Sequence, residues 1–322
     1  MSNSPTEIMI GTRGSPLALQ QAEQVKAALE AHAAEAEGTL ACTIVPLVTT
    51  GDRLTSQRLT EAGGKGLFTK ELDIALEEGR IDIAVHSLKD VPTELPAGQS
   101  LVAYMKREDA REGFVSLKYD TLEDMSEGAV LGTASIRREA QSRLVRPDLK
   151  IVTFRGNVQT RLKKLEAGEA DATYLAMAGL SRLGMTDMAR PIPLEDMLPA
   201  PCQGIVAIAA NAARLDDKLA KALGAINNKS SERAASAERG FLAALDGSCR
   251  TPIAAHMFVE DGMVRFVGEV THPDGTACWE KTVYASVQSD LEELAAIGRT
   301  AAQSLLEEAG PAFPDMDKVD DG

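Results

Sequence analysis

The chain carries a doubled pattern, and this duplication restricts its possible folds more than any other feature. The first copy opens with Ile8-Met9-Ile10-Gly11-Thr12 and the second with Ala129-Val130-Leu131-Gly132-Thr133. Each is a short apolar run into Gly-Thr, followed by a helical stretch. In the first copy Leu19, Ala22, Val25 and Leu29 recur at helical spacing. Matched runs come next, Ile44–Val48 before Gly51-Asp52 and Ile151–Phe154 before Gly156-Asn157. The second helix of each copy closes alike. Leu76-Glu77-Glu78-Gly79 leads into a strand at Ile81–Val85, and Leu165-Glu166-Ala167-Gly168 leads into one at Ala170–Tyr174. Glycine just past a last helical turn acts as a stop because the left-handed backbone there costs it nothing. The first copy is the longer, by an insertion around Ser56–Gly66.

Each copy reads β-α-β-α-β, which predicts a parallel sheet with helices on both faces. The expected division is a lobe 1 over 1–105, completed by 205–225, and a lobe 2 over 110–200. The link falls near Met105–Arg111, Leu198–Gly204 reads as a return hinge, and Ile205–Ala210 would rejoin lobe 1. Two such lobes would enclose a cleft. From Lys229 the pattern changes. A helix over Glu232–Leu245 and a polar loop, Asp246–Pro252, precede strands at Ile253–Val259, Val264–Val270 and Cys278–Val283 and a helix over Asp290–Glu308. This describes a small α+β C-terminal domain over 228–322, with an acidic end from Pro311 that is expected to fray.

Composition narrows the function. Asp and Glu number 48 against 34 Lys and Arg, a net charge of −14, which disfavours a phosphate-backbone binder. No run of about 18 apolar residues predicts a membrane span, and the first thirty residues lack an export pattern. Cys42, Cys202, Cys249 and Cys278 are too far apart for a zinc or redox motif, and no two of the four histidines are four residues apart, so no metal is expected. Unpaired thiols suit a reducing cytosol.

Against this acidic background, the basic residues fall at particular places. In open parallel sheets, ligands bind beyond the carboxyl ends of the strands. Arg13 follows Ile8–Ile10, just ahead of Ser15 and Pro16, a natural N-cap and first helical residue. Arg137 and Arg138 begin the helix after Gly132-Thr133. Arg155 follows Ile151–Phe154, with Arg161 one to two turns further on. Lys89 follows Ile81–His86, and Arg182 lies in the turn after Ala176–Leu180. A cation at a helix N-terminus opposes the helix dipole by roughly 0.3–1 kcal/mol when exposed. Repeating that placement calls for an anion, and guanidinium forks suit carboxylates. Phosphate is the rival ligand, but the sequence has no Walker-type loop and no G-x-G-x-x-G.

Asp90, in His86-Ser87-Leu88-Lys89-Asp90-Val91-Pro92, is one of few acids expected at this basic surface. There it would steady a developing cation; the plainer reading is a charged turn before a proline. Cys249 lies in the polar loop, where Arg250 favours its thiolate. Cys202 flanks the hinge, and Cys278 sits in an apolar run and reads as core.

Eight segments carry a resemblance over essentially the whole chain: Gly11–Leu19, Lys65–Phe68, His86–Pro92, Gly132–Arg138, Arg155–Arg161, Ala178–Arg182, Pro199–Gly204 and Gly247–Pro252. In this order they resemble the porphobilinogen deaminase family. The resemblance implies two tandem α/β lobes like a type II periplasmic binding protein, with a small α+β C-terminal domain. It implies a transferase of porphyrin and haem biosynthesis that deaminates four porphobilinogen molecules and joins them head to tail into hydroxymethylbilane. One dipyrromethane cofactor per chain would be linked to Cys249 by a thioether. Asp90 would be the catalytic carboxylate. It would also contact the cofactor, together with Lys89, Thr133, Ser135, Arg137, Arg138 and Arg155. Arg13, Ser15, Arg155, Arg161 and Arg182 would bind the substrate. A cytoplasmic monomer is expected, with no metal, nucleic-acid or membrane partner. The rival from another class is a non-catalytic two-lobed anion-binding protein, which explains a cleft but not the Cys249 loop or the C-terminal domain.

Overall fold

The computed structural model describes residues 6–35, 40–53, 66–245 and 251–313. Nearly all of the Ser56–Gly66 insertion, Lys65 of the second family segment, Cys249 with its neighbours 246–250, and the end of the chain from 314 lie outside the described residues. The chain runs β1 (Thr6–Arg13), α1 (Pro16–Glu35), β2 (Leu40–Leu47), α2 (Thr50–Arg53), α3 (Lys70–Glu78), β3 (Ile83–Ser87) and β4 (Gln99–Tyr104). It continues through β5 (Glu112–Ser116), β6 (Val130–Gly132), α4 (Ile136–Val145), β7 (Lys150–Val152), α5 (Val158–Glu166), β8 (Ala172–Ala176), α6 (Met177–Arg182) and β9 (Arg190–Pro191). Then come β10 (Val206–Asn211), α7 (Asp217–Ile226), α8 (Lys229–Ala244), β11 (Ile253–Glu260), β12 (Met263–Thr271), β13 (Cys278–Ser286) and α9 (Leu291–Ala309).

These elements divide into two compact units. One comprises Met1–Leu54, Gly66–Glu108 and Gly204–Glu232; the other comprises Thr55–Lys65, Asp109–Gln203 and Arg233–Gly322. The first holds a sheet of order β2-β1-β3-β10-β4. The second holds a sheet of order β7-β6-β8-β5-β9 and the C-terminal sheet β11-β12-β13. The architecture is therefore α/β, with two sheet-bearing lobes and a small α+β C-terminal domain.

Neither lobe sheet is purely parallel. β1 runs parallel to β2 and β3, and β6 runs parallel to β7 and β8, as the repeat demands. But β10 is antiparallel to β3 and β4, and β5 is antiparallel to β8 and β9. Parallel neighbours need a long crossover. β5 and β10 are each the first strand after the chain has left the other copy, and they enter their sheets without a crossover helix. Central strands are buried on both faces and therefore continuously apolar: β10 is buried over Val206–Ala210. On one face of the first sheet, Ile8, Ile10, Val206 and Ile208 pack with Val25 and Leu29 of α1 and Leu219 and Leu223 of α7. Leu72, Ala75 and Leu76 of α3 cover the other face. In the second lobe, Phe114, Leu131 and Tyr174 form one core and Phe154, Leu162, Leu165 and Leu180 a second.

The duplication extends to single bonds. The N–H of Asp82 donates to Met9 O (2.9 Å), and its Oδ2 accepts the Met9 N–H (2.7 Å). Asp171 makes the same two bonds with Val130, both at 2.8 Å. Gly79 and Gly168 close α3 and α5 with φ of 70° and 77°. Ser15 and Ser135 cap α1 and α4, accepting the N–H of Ala18 (3.3 Å) and of Arg138 (3.4 Å).

In the C-terminal domain, a reciprocal Asp290–Glu293 capping box starts α9. Phe241 of α8 meets Phe266 of β12 edge to face at 5.5 Å. Cys42 and Cys202 are buried free thiols, whereas Cys278 is exposed. The core placement expected for Cys278 fails because β13 is an edge strand with alternating exposure. Among the described residues, no helix is long and apolar enough to cross a membrane.

α8 and α9 touch backbone to backbone. A Cβ on Gly298 would lie 2.1 Å from Ala237 O, and one on Gly240 would lie 2.3 Å from Ala295 O. Gly298→Leu should therefore force the two helices apart and lower stability by about 1–3 kcal/mol, read as a reduced urea midpoint. An unchanged midpoint would mean that this contact does not constrain the domain.

Candidate functional site

Two clusters of charged side chains gather at strand ends, one in each unit. In the first, β1 delivers Arg13 at its last residue. β3 exits into a single 3-10 turn, Leu88–Asp90, held by Leu88 N–H on Ile205 O (2.9 Å) and Val91 N–H on Leu88 O (3.0 Å). Arg13, Phe68, His86, Ser87 and Asp90 help line a small pocket. Arg13 sets its Nε and Nη2 on the Asp52 carboxylate, with Nε 3.2 Å from Oδ1, and its Nη1 lies 3.9 Å from Asp90 Oδ2. Its guanidinium sits 4.2 Å above the Phe68 ring, a cation–π contact. Burial raises the Asp52 carboxyl, but the Arg13 guanidinium and the Thr49 donors outweigh this and hold it below its ordinary value.

The second cluster centres on Glu112, the first residue of β5, whose side chain has no exposure to solvent. Arg138 forks onto it, with Nε to Oε1 at 3.2 Å and Nη2 to Oε2 at 2.6 Å. Arg137 Nη2 reaches Oε1, while its Nη1 donates to Leu198 O (3.0 Å) and Gln141 Oε1 (2.9 Å). Burial pushes the Arg137 guanidinium down, against the pull of Glu112. Gln141 in turn donates to Glu269 of β12 (2.8 Å), whose carboxyl is raised by burial. The anion that the sequence argument required beside Arg137 and Arg138 is thus present within the chain itself.

Arg161, in the first turns of α5, donates Nε to Gly156 O (2.9 Å). Burial first, and then the charge of Arg138, push it down to about 10; Glu112 opposes this and Arg155 adds to it. Among the described residues no carboxylate lies within ion-pair distance of it. Burial also lowers Arg155.

The structure therefore brings Arg13 and Asp90 together in one unit and, in the other, Arg137 beside Arg138 and Arg161 within the electrostatic reach of Arg138 and Arg155. Thr133 is buried beside the start of α4, where its Oγ1 accepts the Ser135 N–H (3.1 Å). Ser15 is engaged as a helix cap, Lys89 is exposed on the 3-10 turn, and Arg182 ends α6 half-buried. Cys249 lies outside the described residues. Sequence reasoning missed Asp52, Glu112 and Glu269 as partners. Asp52 had served only as a mark of the repeat, although its place just past β2 was a usable signal. Glu112 follows Asp109 and Arg111 and so reads as part of a charged linker.

Comparison with known proteins places these clusters in a family. Residues 8–220 match the family described as porphobilinogen deaminase, dipyromethane cofactor binding domain, and residues 233–307 match the porphobilinogen deaminase C-terminal domain. The chain is 48% identical over 314 residues to the chloroplastic porphobilinogen deaminase of Pisum sativum, covering 97% of this chain and 84% of that one. It is also 48% identical over 316 residues to the porphobilinogen deaminase of Nitrobacter hamburgensis, covering 97% of each. Among solved structures, DctP7, an extracytoplasmic solute receptor of Bordetella pertussis that binds pyroglutamic acid, aligns with a TM-score of 0.42 and 15% identity over 96% of this chain and 97% of its own.

The pocket imposes a pH dependence on stability. Burial, and then the Arg13 charge, push the His86 imidazole from 6.5 down to about 4. Between those values the unfolded chain binds a proton that the folded chain refuses, so stability falls as pH falls through that window. The loss should reach about 3 kcal/mol by pH 4. His86→Gln should flatten the decline, measured by urea unfolding from pH 7 to 4. An equally steep decline in the variant would assign the titration to another group.

Proposed function

This chain belongs to the porphobilinogen deaminase family, and from that premise we propose which of its residues do the work. It is a transferase of porphyrin and haem biosynthesis that deaminates porphobilinogen and joins four molecules head to tail into hydroxymethylbilane, with a dipyrromethane cofactor. The observation that carries the assignment of residues is Arg161: a half-buried guanidinium without a carboxylate partner among the described residues, within the electrostatic reach of Arg138 and Arg155. Such a set suits a ligand bearing several carboxylates, and every porphobilinogen unit brings two. The donor set therefore fits the cofactor.

Arg137, Arg138 and Arg155 hold the cofactor carboxylates, with Lys89 adding charge and Thr133 and Ser135 adding hydrogen bonds. Arg13, Ser15, Arg155, Arg161 and Arg182 hold those of the substrate. Cys249 is the covalent anchor. Its rivals are poor thiolates: burial pushes both Cys42 and Cys278 up to about 11, whereas Arg250 beside Cys249 favours ionisation. When bound, the dipyrromethane supplies the nucleophilic pyrrole carbon on which the product chain is extended.

Asp90 does the electrostatic work. With Nε and Nη2 of Arg13 committed to Asp52, Nη1 remains on the side of Asp90 and orients its carboxylate. Asp90 accepts the pyrrole N–H and opposes the positive charge that develops on the ring nitrogen as ammonia departs. It then takes up the proton released when the new bond forms. The free thiols among the described cysteines support a reducing compartment, the cytoplasm, and the enzyme works as a monomer without nucleic acid or membrane. A non-catalytic anion-binding protein would leave Cys249 without a role.

Two outcomes test this reading. Cys249→Ser should lack a covalent dipyrromethane by intact mass, while Cys42→Ser and Cys278→Ser keep it; cofactor retention by the first variant would remove Cys249 as the anchor. Asp90→Asn should still acquire the cofactor but turn over porphobilinogen about 10²–10³ times more slowly, and Asp90→Glu should keep part of the activity. Equal rates for the Asn and Glu variants would show that charge at residue 90 is not the catalytic element.

A further inference from the structure

We infer that Glu112 is a positioning residue for this reaction, holding Arg137 and Arg138 in the one arrangement that receives pyrrole carboxylates. The inference rests on the reading that these two arginines bind such carboxylates.

Successive residues on a helix point about 100° apart. Arg137 and Arg138 therefore diverge at the start of α4 and converge only if something draws their guanidinium groups together. Glu112 does so with both carboxylate oxygens, Oε1 serving both arginines and Oε2 serving Arg138. Each guanidinium has a second, backbone anchor. Arg138 Nη1 donates to Tyr174 O (2.9 Å), and Arg137 Nη1 donates to Leu198 O (3.0 Å). The planes are thus fixed from two directions before any ligand arrives, which is the condition for tight and specific anion recognition.

Removing Glu112 would leave each guanidinium on its other anchors alone, with no shared counter-charge to draw the two together.

Positioning and bulk charge make opposite predictions for Glu112→Gln. The substitution makes the cluster more positive, so attraction alone would leave the cofactor carboxylates held at least as well as in the parent. Loss of positioning should instead lower the fraction of chains that carry a covalent dipyrromethane, read by intact mass, and cut kcat/KM of the chains that do carry it by on the order of 10²-fold. Glu112→Asp keeps the charge on a shorter arm and should fall between the parent and Glu112→Gln in both readouts. Cofactor content and kcat/KM of Glu112→Gln equal to or above those of the parent overturn the inference. If Glu112→Gln does not fold, Glu112→Asp decides: reduced cofactor content supports the role, and unchanged content overturns it. Arg138→Leu is the control for the underlying reading. If that variant loads the cofactor normally, the arginine assignment itself fails. If it is impaired while Glu112→Gln is normal, only the role of Glu112 is rejected.

Discussion

A carboxylate sealed from solvent is expensive unless its lone pairs are met by charged donors in good geometry, and Glu112 imposes that condition on everything around it. Both its oxygens must find guanidinium hydrogens, so α4 has to start where Arg137 and Arg138 reach back to β5. β5 must lie beside β8, because Arg138 is also bonded to Tyr174 O. Tyr174 carries the constraint further, its hydroxyl pairing with Ser142 of α4 at 2.8 Å. Gln141, on the same helix, links Arg137 to Glu269 of β12, so the C-terminal sheet is registered against the second lobe through the same network. Removing one member of a buried charge network of this kind typically costs about 3–5 kcal/mol.

The first lobe handles its arginine differently. Arg13 and Asp52 are both about a quarter exposed, so their pairing is screened and contributes less. The third member, Asp90, stands 3.9 Å away rather than in a bonded fork. A rigid, desolvated cluster suits a cofactor that stays in place. A looser, wetter one suits groups that must exchange partners in each of four rounds. The same duplicated scaffold thus supports two electrostatic regimes, set by whether the counter-charge comes from a buried strand, as Glu112 does, or from a short surface helix, as Asp52 does.

Much of the scaffold was legible in the residues. The Gly-Thr strand ends, the glycine stops at 79 and 168, the serine cap at 15 and the apolar runs of the parallel strands are local signals, and each depends on the backbone conformation of a few neighbouring residues. What was not legible is non-local. β4 and β5 are short segments whose sheet neighbours lie far along the chain, and their antiparallel sense follows from the route the chain takes between copies. Glu112 reads as linker because its burial exists only once β5 is inserted. Cys278 reads as core because an apolar run does not reveal that its strand lies at an edge. Residue logic alone reached a polyanion site; the specific chemistry came from eight segments in family order and from the match of the whole chain to that family.

The exchange of fourth strands also sets an order of events during synthesis. β4 ends at Tyr104, while the strand between it and β3 begins only at Val206. At roughly 5–20 residues per second, a ribosome needs on the order of 5–20 s to deliver that strand. The second sheet, whose strands all lie within 112–191, is complete before the first can close. The nascent first lobe therefore spends that interval with the hydrogen-bonding edges of β3 and β4 open. Such edges template pairing with other chains, so this is the stage at which the growing polypeptide most needs shielding, and of the two lobes the one begun first is the one finished last.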